Sequence, residues 1–391
     1  MHLFKKRINA RIRISISNQK TIIFSSLCAS ALLLVLLCLS LKTSQPDPAQ
    51  LTSNQVEPLA YTCCTPLNNS FRTNVFFVKT HKTGGTTVEN VLIRFALRNS
   101  LDVLNIAYNM YYMPLSDFSI WPNTNTPNNK YHVMAQHLRY SSVLKSYQYP
   151  DTSTVTILRH PVTHFKSKYD FFQIYLTTGM SLQQFLNAPI KPPLLLGVDS
   201  FMAYRGYNQM SVDLGFDAIQ SKNQTAIAEF IEKIDEEFDL VMIMEYMDAS
   251  MVLLANLMGW PLENMAYLKM NARLPGSDDY QLTLRDEITI MDLNEVDTLL
   301  YHHFRNKFLK CVRQYGEQKM KDQIQQLKSI NEQFTQRCVA EDVKQGVWYG
   351  VPKTVDYTPK NQSDLECVYA VTPQNTLDSI VRDIQFKRFQ G

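Results

Sequence analysis

Short, fully apolar runs alternate with helical stripes through the middle of this chain. Val75-Phe76-Phe77-Val78 is apolar at every position, as a strand buried on both faces must be. Val88, Val91, Leu92 and Phe95 follow at i, i+3, i+4 and i+7, the buried stripe of a helix. The spacing then predicts a short strand at Tyr131–Met134 and a β-branched strand at Thr154–Leu158. Pro161 opens a helix expected to run to about Tyr175, with Phe165, Tyr169 and Phe172 on one face. Phe238–Met244 is another apolar strand, and Tyr246–Met258 another helix, stopped by Gly259-Trp260-Pro261. Strands of this kind alternating with helices predict an α/β fold, a mainly parallel sheet flanked by helices on both faces. From Leu284 to about Arg337 the pattern turns helical. Leu299, Leu300, His303, Phe304, Phe308 and Leu309 form one packing stripe, and Met320, Ile324, Leu327 and Phe334 a narrower seam.

The N-terminal end follows a different rule. Residues 1–20 carry Lys5, Lys6, Arg7, Arg11, Arg13 and Lys20 and no acid, and residues 21–41 are largely apolar and uncharged. That run can cross a bilayer and exceeds the core of a cleaved signal peptide, so an uncleaved transmembrane signal anchor is expected, with a cytosolic tail before it. Residues 42–73, rich in Pro, Ser, Thr, Gln and Asn, are expected to form a stem, and residues 74–391 a lumenal domain. The overall charge is +3, yet the first 42 residues hold seven Lys or Arg and no acid, leaving −4 on the remainder. A mildly acidic domain argues against nucleic acid as a partner. Sequons start at Asn68, Asn223 and Asn361, all on the expected lumenal side. Five cysteines lie beyond the span: Cys63, Cys64, Cys311, Cys338 and Cys367. None has metal-ligand spacing, and no metal is expected. An odd number leaves one thiol free or paired between chains, so a disulfide-linked homodimer is one expectation.

The chemistry concentrates after the first strand, in Lys79-Thr80-His81-Lys82-Thr83-Gly84-Gly85-Thr86-Thr87. A polar loop with two glycines leading into a helix builds an anion cradle. Backbone N–H groups and the helix dipole favour a phosphate, and a lysine supplies the counter-charge. The usual nucleotide triphosphate loop places its glycines before the lysine; here the lysine comes first. A solvated loop lysine is the bland alternative for Lys82, and Lys79 either adds charge to the pocket or faces solvent at a strand end. Arg159 ends the Thr154–Leu158 strand and Ser167 lies about two turns into the next helix. An arginine fork with a serine hydroxyl suits a terminal phosphate dianion, although the pair alone is weak and a surface arginine is commoner. Among eight histidines, His137 follows a strand and precedes Arg139, and His81 lies inside the cradle. Either suits proton abstraction near neutral pH, while a lone histidine is more often structural. The stretch from Asn208 to Asp217, with Tyr204, Tyr207 and Phe216 nearby, is either a sugar-binding loop or a plain connection between helices.

These motifs resemble those of Golgi carbohydrate sulfotransferases. Lys82-Thr83-Gly84-Gly85-Thr86-Thr87 resembles their 5′-phosphosulfate loop, and Thr156-Ile157-Leu158-Arg159-His160-Pro161 through Ser167 their 3′-phosphate motif. Val78–Thr83, Asn208–Gly215 and Phe238–Tyr246 are more narrowly similar to the galactose-3-O-sulfotransferases, which include galactosylceramide sulfotransferase. The resemblance runs from about Asn74 to Tyr315; His160 departs from the residue often found between Arg and Pro, and nothing after Arg337 matches. It implies a P-loop-like sulfotransferase fold and 3′-phosphoadenosine 5′-phosphosulfate (PAPS) as sulfuryl donor. The acceptor implied is the 3-hydroxyl of a β-galactose on a glycolipid or glycan, and the place a Golgi membrane, in type II orientation. Donor contacts are then implied at Lys79, Thr80, Lys82, Thr83, Gly84, Gly85, Thr86, Thr87, Arg159 and Ser167. Lys82 is implied at the leaving group and His137 as base, and the position of His81 in the cradle beside Lys82 puts it against the acceptor or the sulfuryl oxygens. The rival expectations are a uronic acid or hexosamine acceptor, a P-loop kinase or nucleotidase, and a lumenal binding protein without activity.

Overall fold

The first five strands after Thr73, β1 (Val75–Val78), β2 (Val103–Leu104), β3 (Val133–Met134), β4 (Ser153–Leu158) and β5 (Leu240–Ile243), form an all-parallel sheet in the order β2-β3-β1-β4-β5. In this computed structural model, residues 71–104, 126, 128, 130–191, 206–270, 280–341, 344–348 and 351–390 are described. β1 (Val75–Val78) is buried at all four positions, as its unbroken apolar run requires. It leads through the glycine loop into α1 (Gly85–Arg98), whose Val88, Val91, Leu92 and Phe95 are all buried. β2 (Val103–Leu104) and β3 (Val133–Met134) lie on one side of β1, and β4 (Ser153–Leu158) on the other. The strand expected at Tyr131–Met134 is shorter, because Tyr131 leaves the sheet to bridge Gln148. The switch point of the sheet therefore falls between β1 and β4, where open α/β sheets leave a crevice at their carboxyl ends.

The helix after β4 breaks where the sequence predicts continuity. α2 (Pro161–Phe171) ends, Gln173 takes a left-handed conformation at φ 50°, and α3 (Ile174–Thr178) starts afresh. The break splays Phe171 and Phe172, whose rings meet edge to face at 5.2 Å. α4 (Leu182–Asn187), opened by a Ser181–Gln184 capping box, packs Phe185 against Phe165 and Tyr169. α5 (Gln209–Asp213) is a single buried turn. α6 (Gln224–Glu237) leads to β5 (Leu240–Ile243) at the sheet edge, and α7 (Met247–Met258) follows, ended by the left-handed Gly259.

α8 (Leu284–Leu293), α9 (Glu295–Tyr315) and α10 (Glu317–Cys338) fill the helical stretch. On α9, Leu300, Tyr301, Phe304 and Phe308 face the core, while Leu299 and His303 are exposed, contrary to the expected stripe. Residues 300, 304 and 308 step by one turn, and positions 299 and 303 fall one residue off that face. The seam of α10 packs on α7 and on the turn at Leu262–Met265. Beyond it lie an antiparallel hairpin, β6 (Lys344–Trp348) with β7 (Val351–Asp356), and two helices, α11 (Leu365–Val371) and α12 (Gln374–Gln390). Cys338 at the end of α10 is bonded to Cys367 in α11, and Cys311 is also in a disulfide. Cys311, Cys338 and Cys367 are therefore not free thiols. The span expected at 21–41, most of the stem, Cys63, Cys64 and Asn68 lie outside the described residues, among which no helix is long and apolar enough to cross a membrane.

Candidate active site

Three strand ends converge at the switch point. The loop after β1 carries His81 and Lys82, the turn after β3 carries His137, and the end of β4 carries Arg159. The loop is held from within. Thr80 Oγ1 donates to the Ile157 carbonyl at 2.6 Å and lies 2.8 Å from Thr83 Oγ1, which also contacts the Thr80 carbonyl. Both threonines, expected as donor contacts, are buried and spend their hydroxyls on loop geometry. His164, on α2, donates from Nε2 to the His81 carbonyl at 2.9 Å.

Gly84 stands at φ 81° as the N-cap of α1, and no side chain caps that helix. Its amides and dipole are therefore set for an anionic ligand. Gly85 admits the helix close to β1: a Cβ there would lie 2.8 Å from Lys79 Cγ. Lys82, also left-handed at φ 59°, holds its ammonium 3.5 Å from the centre of the Phe171 ring. Arg159 donates to the Lys82 carbonyl at 3.1 Å and to Thr163 Oγ1 at 3.1 Å, so its fork stands beside the loop. Ser167 is buried two turns on in α2, at 7% exposure.

Lys79 is the clearest departure. Its ammonium is neither at the phosphate cradle nor in solvent; it is 1% exposed and bonded to Glu89 Oε2 at 2.5 Å and Gln374 Oε1 at 2.6 Å. Burial pushes the Glu89 carboxyl up to about 8 in spite of Lys79 beside it. Only the Lys79 carbonyl faces the site, where it accepts from His137 Nδ1 at 2.9 Å.

The two histidines stack, ring centres 3.9 Å apart and planes within 12°. Each is oriented through Nδ1. His137 is held by the Lys79 carbonyl. His81 Nδ1 lies 2.9 Å from Asp213 Oδ2, which also accepts the His81 backbone N–H at 2.7 Å. Both tautomers therefore put the ring lone pair on Nε2. Their surroundings differ in charge. Burial, and then the positive charges of His81, Lys79 and Lys82, hold the His137 imidazole well below its usual pKa. Asp213 is an anion in direct contact with His81.

Asp213 is the residue that sequence reasoning missed. It lies in the stretch expected either to bind sugar or to connect helices, and that stretch is buried scaffold. Asn208 Oδ1 accepts from the Val296 and Asp297 amides at the start of α9, while Asp297 accepts from Ser211 Oγ at 2.6 Å and from the Met210 and Ser211 amides. Gln209 Nε2 donates to Asp213 at 2.9 Å. Tyr207 stacks on Phe165 and Phe216 packs on Phe230, so neither serves as an open sugar platform; Tyr204 lies outside the described residues. Phe172 leans toward the His81 ring instead, at 6.0 Å.

An open parallel sheet with an uncapped helix start, a lysine and an arginine at its switch point is an α/β arrangement suited to a phosphate-bearing ligand. The match to known proteins is specific. The galactose-3-O-sulfotransferase family model matches residues 5–348, and the chain belongs to that family. Galactose-3-O-sulfotransferase 3 of Homo sapiens is 33% identical over 329 residues, covering 80% of this chain and 74% of that protein. Galactosylceramide sulfotransferase of Mus musculus is 28% identical over 298 residues (72% and 68%), and galactose-3-O-sulfotransferase 2 of Sus scrofa 29% over 282 residues (69% of each).

Proposed function

We propose that this chain moves a sulfuryl group from PAPS to the 3-hydroxyl of a β-galactose on a glycolipid or glycan. Family membership supports the class of reaction. The observation that carries the assignment of roles is the stacked His81–His137 pair, with Asp213 behind one ring and Lys82 next in the chain. When bound, the donor supplies the sulfuryl group on a phosphate leaving group. The amides of Gly84, Gly85 and Thr86 would receive its 5′-phosphosulfate, the Thr87 amide being bonded to the Gly84 carbonyl at 3.1 Å; Lys82 would neutralise the charge that develops as the bond to sulfur breaks, and Arg159 with Ser167 would hold the 3′-phosphate. The acceptor hydroxyl must lose a proton. His137 is the poorer acceptor, because its imidazolium would be buried among positive charges. His81 takes the proton, and Asp213 stabilises the imidazolium that forms. His137, kept neutral, offers Nε2 as a hydrogen-bond acceptor that orients the galactose, and Phe172 supplies an aromatic face. A radiolabelled-PAPS assay against galactosylceramide, lactose-type glycans and heparan fragments tests this. Label on galactose is expected; label only on heparan fragments would move the acceptor to a uronic acid or hexosamine.

Arg159→Ala is expected to weaken 3′-phosphoadenosine 5′-phosphate far more than adenosine 5′-phosphosulfate, since a lost charge-assisted bond costs about 1.5–3 kcal/mol. Titration calorimetry with both ligands decides; equal losses would show that Arg159 does not read the 3′-phosphate.

We place the enzyme in the Golgi membrane with a lumenal catalytic domain, on the basic tail and apolar run at the N-terminus. Asn223 and Asn361 are both exposed; Asn223 caps α6 through Oδ1, and its Nδ2 donates only to the exposed Gln220 side chain at 3.1 Å, a surface bond that a glycan can replace. Endoglycosidase is expected to lower the apparent mass of protein made in a secretory host. Asn223 and Asn361 both unmodified would count against the orientation.

A further inference from the structure

The last helix, α12, lies beyond the part of the chain that the family model matches, which ends at residue 348. It nevertheless reaches the underside of the site. Gln374 Oε1 accepts from the Lys79 ammonium at 2.6 Å, and its Nε2 donates to Glu89 Oε1 at 3.2 Å, closing a triangle with the Lys79–Glu89 pair. One turn on, Asp378, 8% exposed, hydrogen-bonds the side chain of Gln136, the residue before His137. Leu377 and Val381, at 3% and 0% exposure, seat the helix in the main core. Its far end is tied separately: Gln385 Nε2 donates to the Val103 carbonyl at 2.9 Å, and Arg388 bonds the Ser100 carbonyl and Asp102. The Cys338–Cys367 disulfide clamps the preceding helix, α11, which packs on α1.

We infer that Gln374 and Asp378 are positioning residues for the histidine pair, so that a segment outside the family-matched span completes the catalytic site. The route is short. Gln374 fixes Lys79, whose carbonyl holds His137 Nδ1, and Asp378 fixes Gln136, which carries His137 on its next peptide. Glycine at position 85 lets α1 close on Lys79 from the other side. The charged and titratable groups facing this floor are Lys79 on β1, Glu89 on α1, Asp378 and Arg382 on α12, and His81, Lys82 and His137 above. Without Gln374 or the Asp378 carboxylate, His137 loses the frame that keeps its ring parallel to His81. Small misplacements of this kind reduce turnover without abolishing ligand binding.

The inference rests on the proposed sulfuryl transfer for its kinetic readout, and the test carries a second readout that does not. Full-length Gln374→Leu and the isosteric Asp378→Asn are compared with Gln385→Leu, which loosens the same helix away from the site. For the first two, kcat is expected to fall several-fold, up to about the tenfold expected for loss of His137 itself, with the Kd of 3′-phosphoadenosine 5′-phosphate within about twofold of wild type. Modification of His137 by diethyl pyrocarbonate, read by peptide mass, is expected to quicken several-fold. Gln385→Leu is expected to lower the melting temperature and leave kcat and His137 reactivity as they are. If wild type sulfates no galactose acceptor, the proposed function fails and His137 reactivity alone decides the inference. Wild-type His137 reactivity in Gln374→Leu and Asp378→Asn would overturn it, as would equal changes in Gln385→Leu.

Discussion

His81→Ala is expected to lower kcat by about 10²–10⁴, the range for a removed acid–base group, while 3′-phosphoadenosine 5′-phosphate binds nearly as before. The proton of the acceptor must go to a ring whose charged form is tolerated. Asp213 contacts His81 at 2.9 Å and fixes its tautomer, whereas the charged form of His137 is opposed by burial and by His81, Lys79 and Lys82. Asp213→Asn is expected to approach the loss of His81→Ala, because it removes the anion behind the imidazolium. His137→Ala, which removes only an orienting acceptor, is expected to cost about tenfold, the worth of one hydrogen bond of about 1–1.5 kcal/mol. The pH profile separates the two rings. Burial and the neighbouring positive charges hold the His137 pKa well below that of free imidazole, so the point at which it would protonate moves to lower pH. His137→Ala should therefore leave the acidic limb of kcat against pH in place. A collapsed kcat and a missing limb in His137→Ala, with His81→Ala near wild type, would return the base to His137.

The second large effect is at Lys82. Lys82→Ala is expected to cut kcat by about 10²–10³, the loss seen when one preorganised donor to a developing anion is removed. In this structure the ammonium rests over Phe171, 3.5 Å from the ring centre. A cation–π contact of that kind is worth about 0.5–1 kcal/mol at a partly exposed site, less than a charge-assisted bond of about 1.5–3 kcal/mol to a phosphate oxygen. The lysine is thus held beside the loop without being trapped there, as the proposed role requires. Its left-handed backbone keeps the loop turning between His81 and Gly84. Single-turnover kinetics measures the chemical step apart from binding. Lys82→Ala with more than a tenth of wild-type kcat would sink the leaving-group role.

Much of this architecture was legible in local sequence. Apolar runs at Val75–Val78, Thr154–Leu158 and Phe238–Met244 led to three sheet strands, and the stripe through Val88 and Phe95 to a helix with the expected face buried. Strand and helix periods are properties of neighbouring residues, so they are written locally. The lysine-first loop and its glycines were legible for the same reason: a left-handed turn and an uncapped helix start need particular residues in consecutive positions. The break at Gln173 was not, because it is set by where Phe171 and Phe172 find partners, and those partners are Lys82 and His81, some ninety residues earlier.

The sequence by itself determined the alternation of strand and helix, the anion loop and the identity of the histidines and basic residues available to it. Only the tertiary structure decided which of them come together. Asp213 reaches His81 across 132 residues, and Gln374 reaches Lys79 across 295. Such pairings follow from strand order and helix docking, which bring distant residues to one carboxyl edge of the sheet, and no local period encodes them. The same docking turned Lys79 from an expected ligand contact into a buried ammonium hydrogen-bonded to Glu89 and Gln374. With Glu89 one helical face away and Gln374 closing over it, the ammonium is satisfied inside the protein, where a buried charge must have partners.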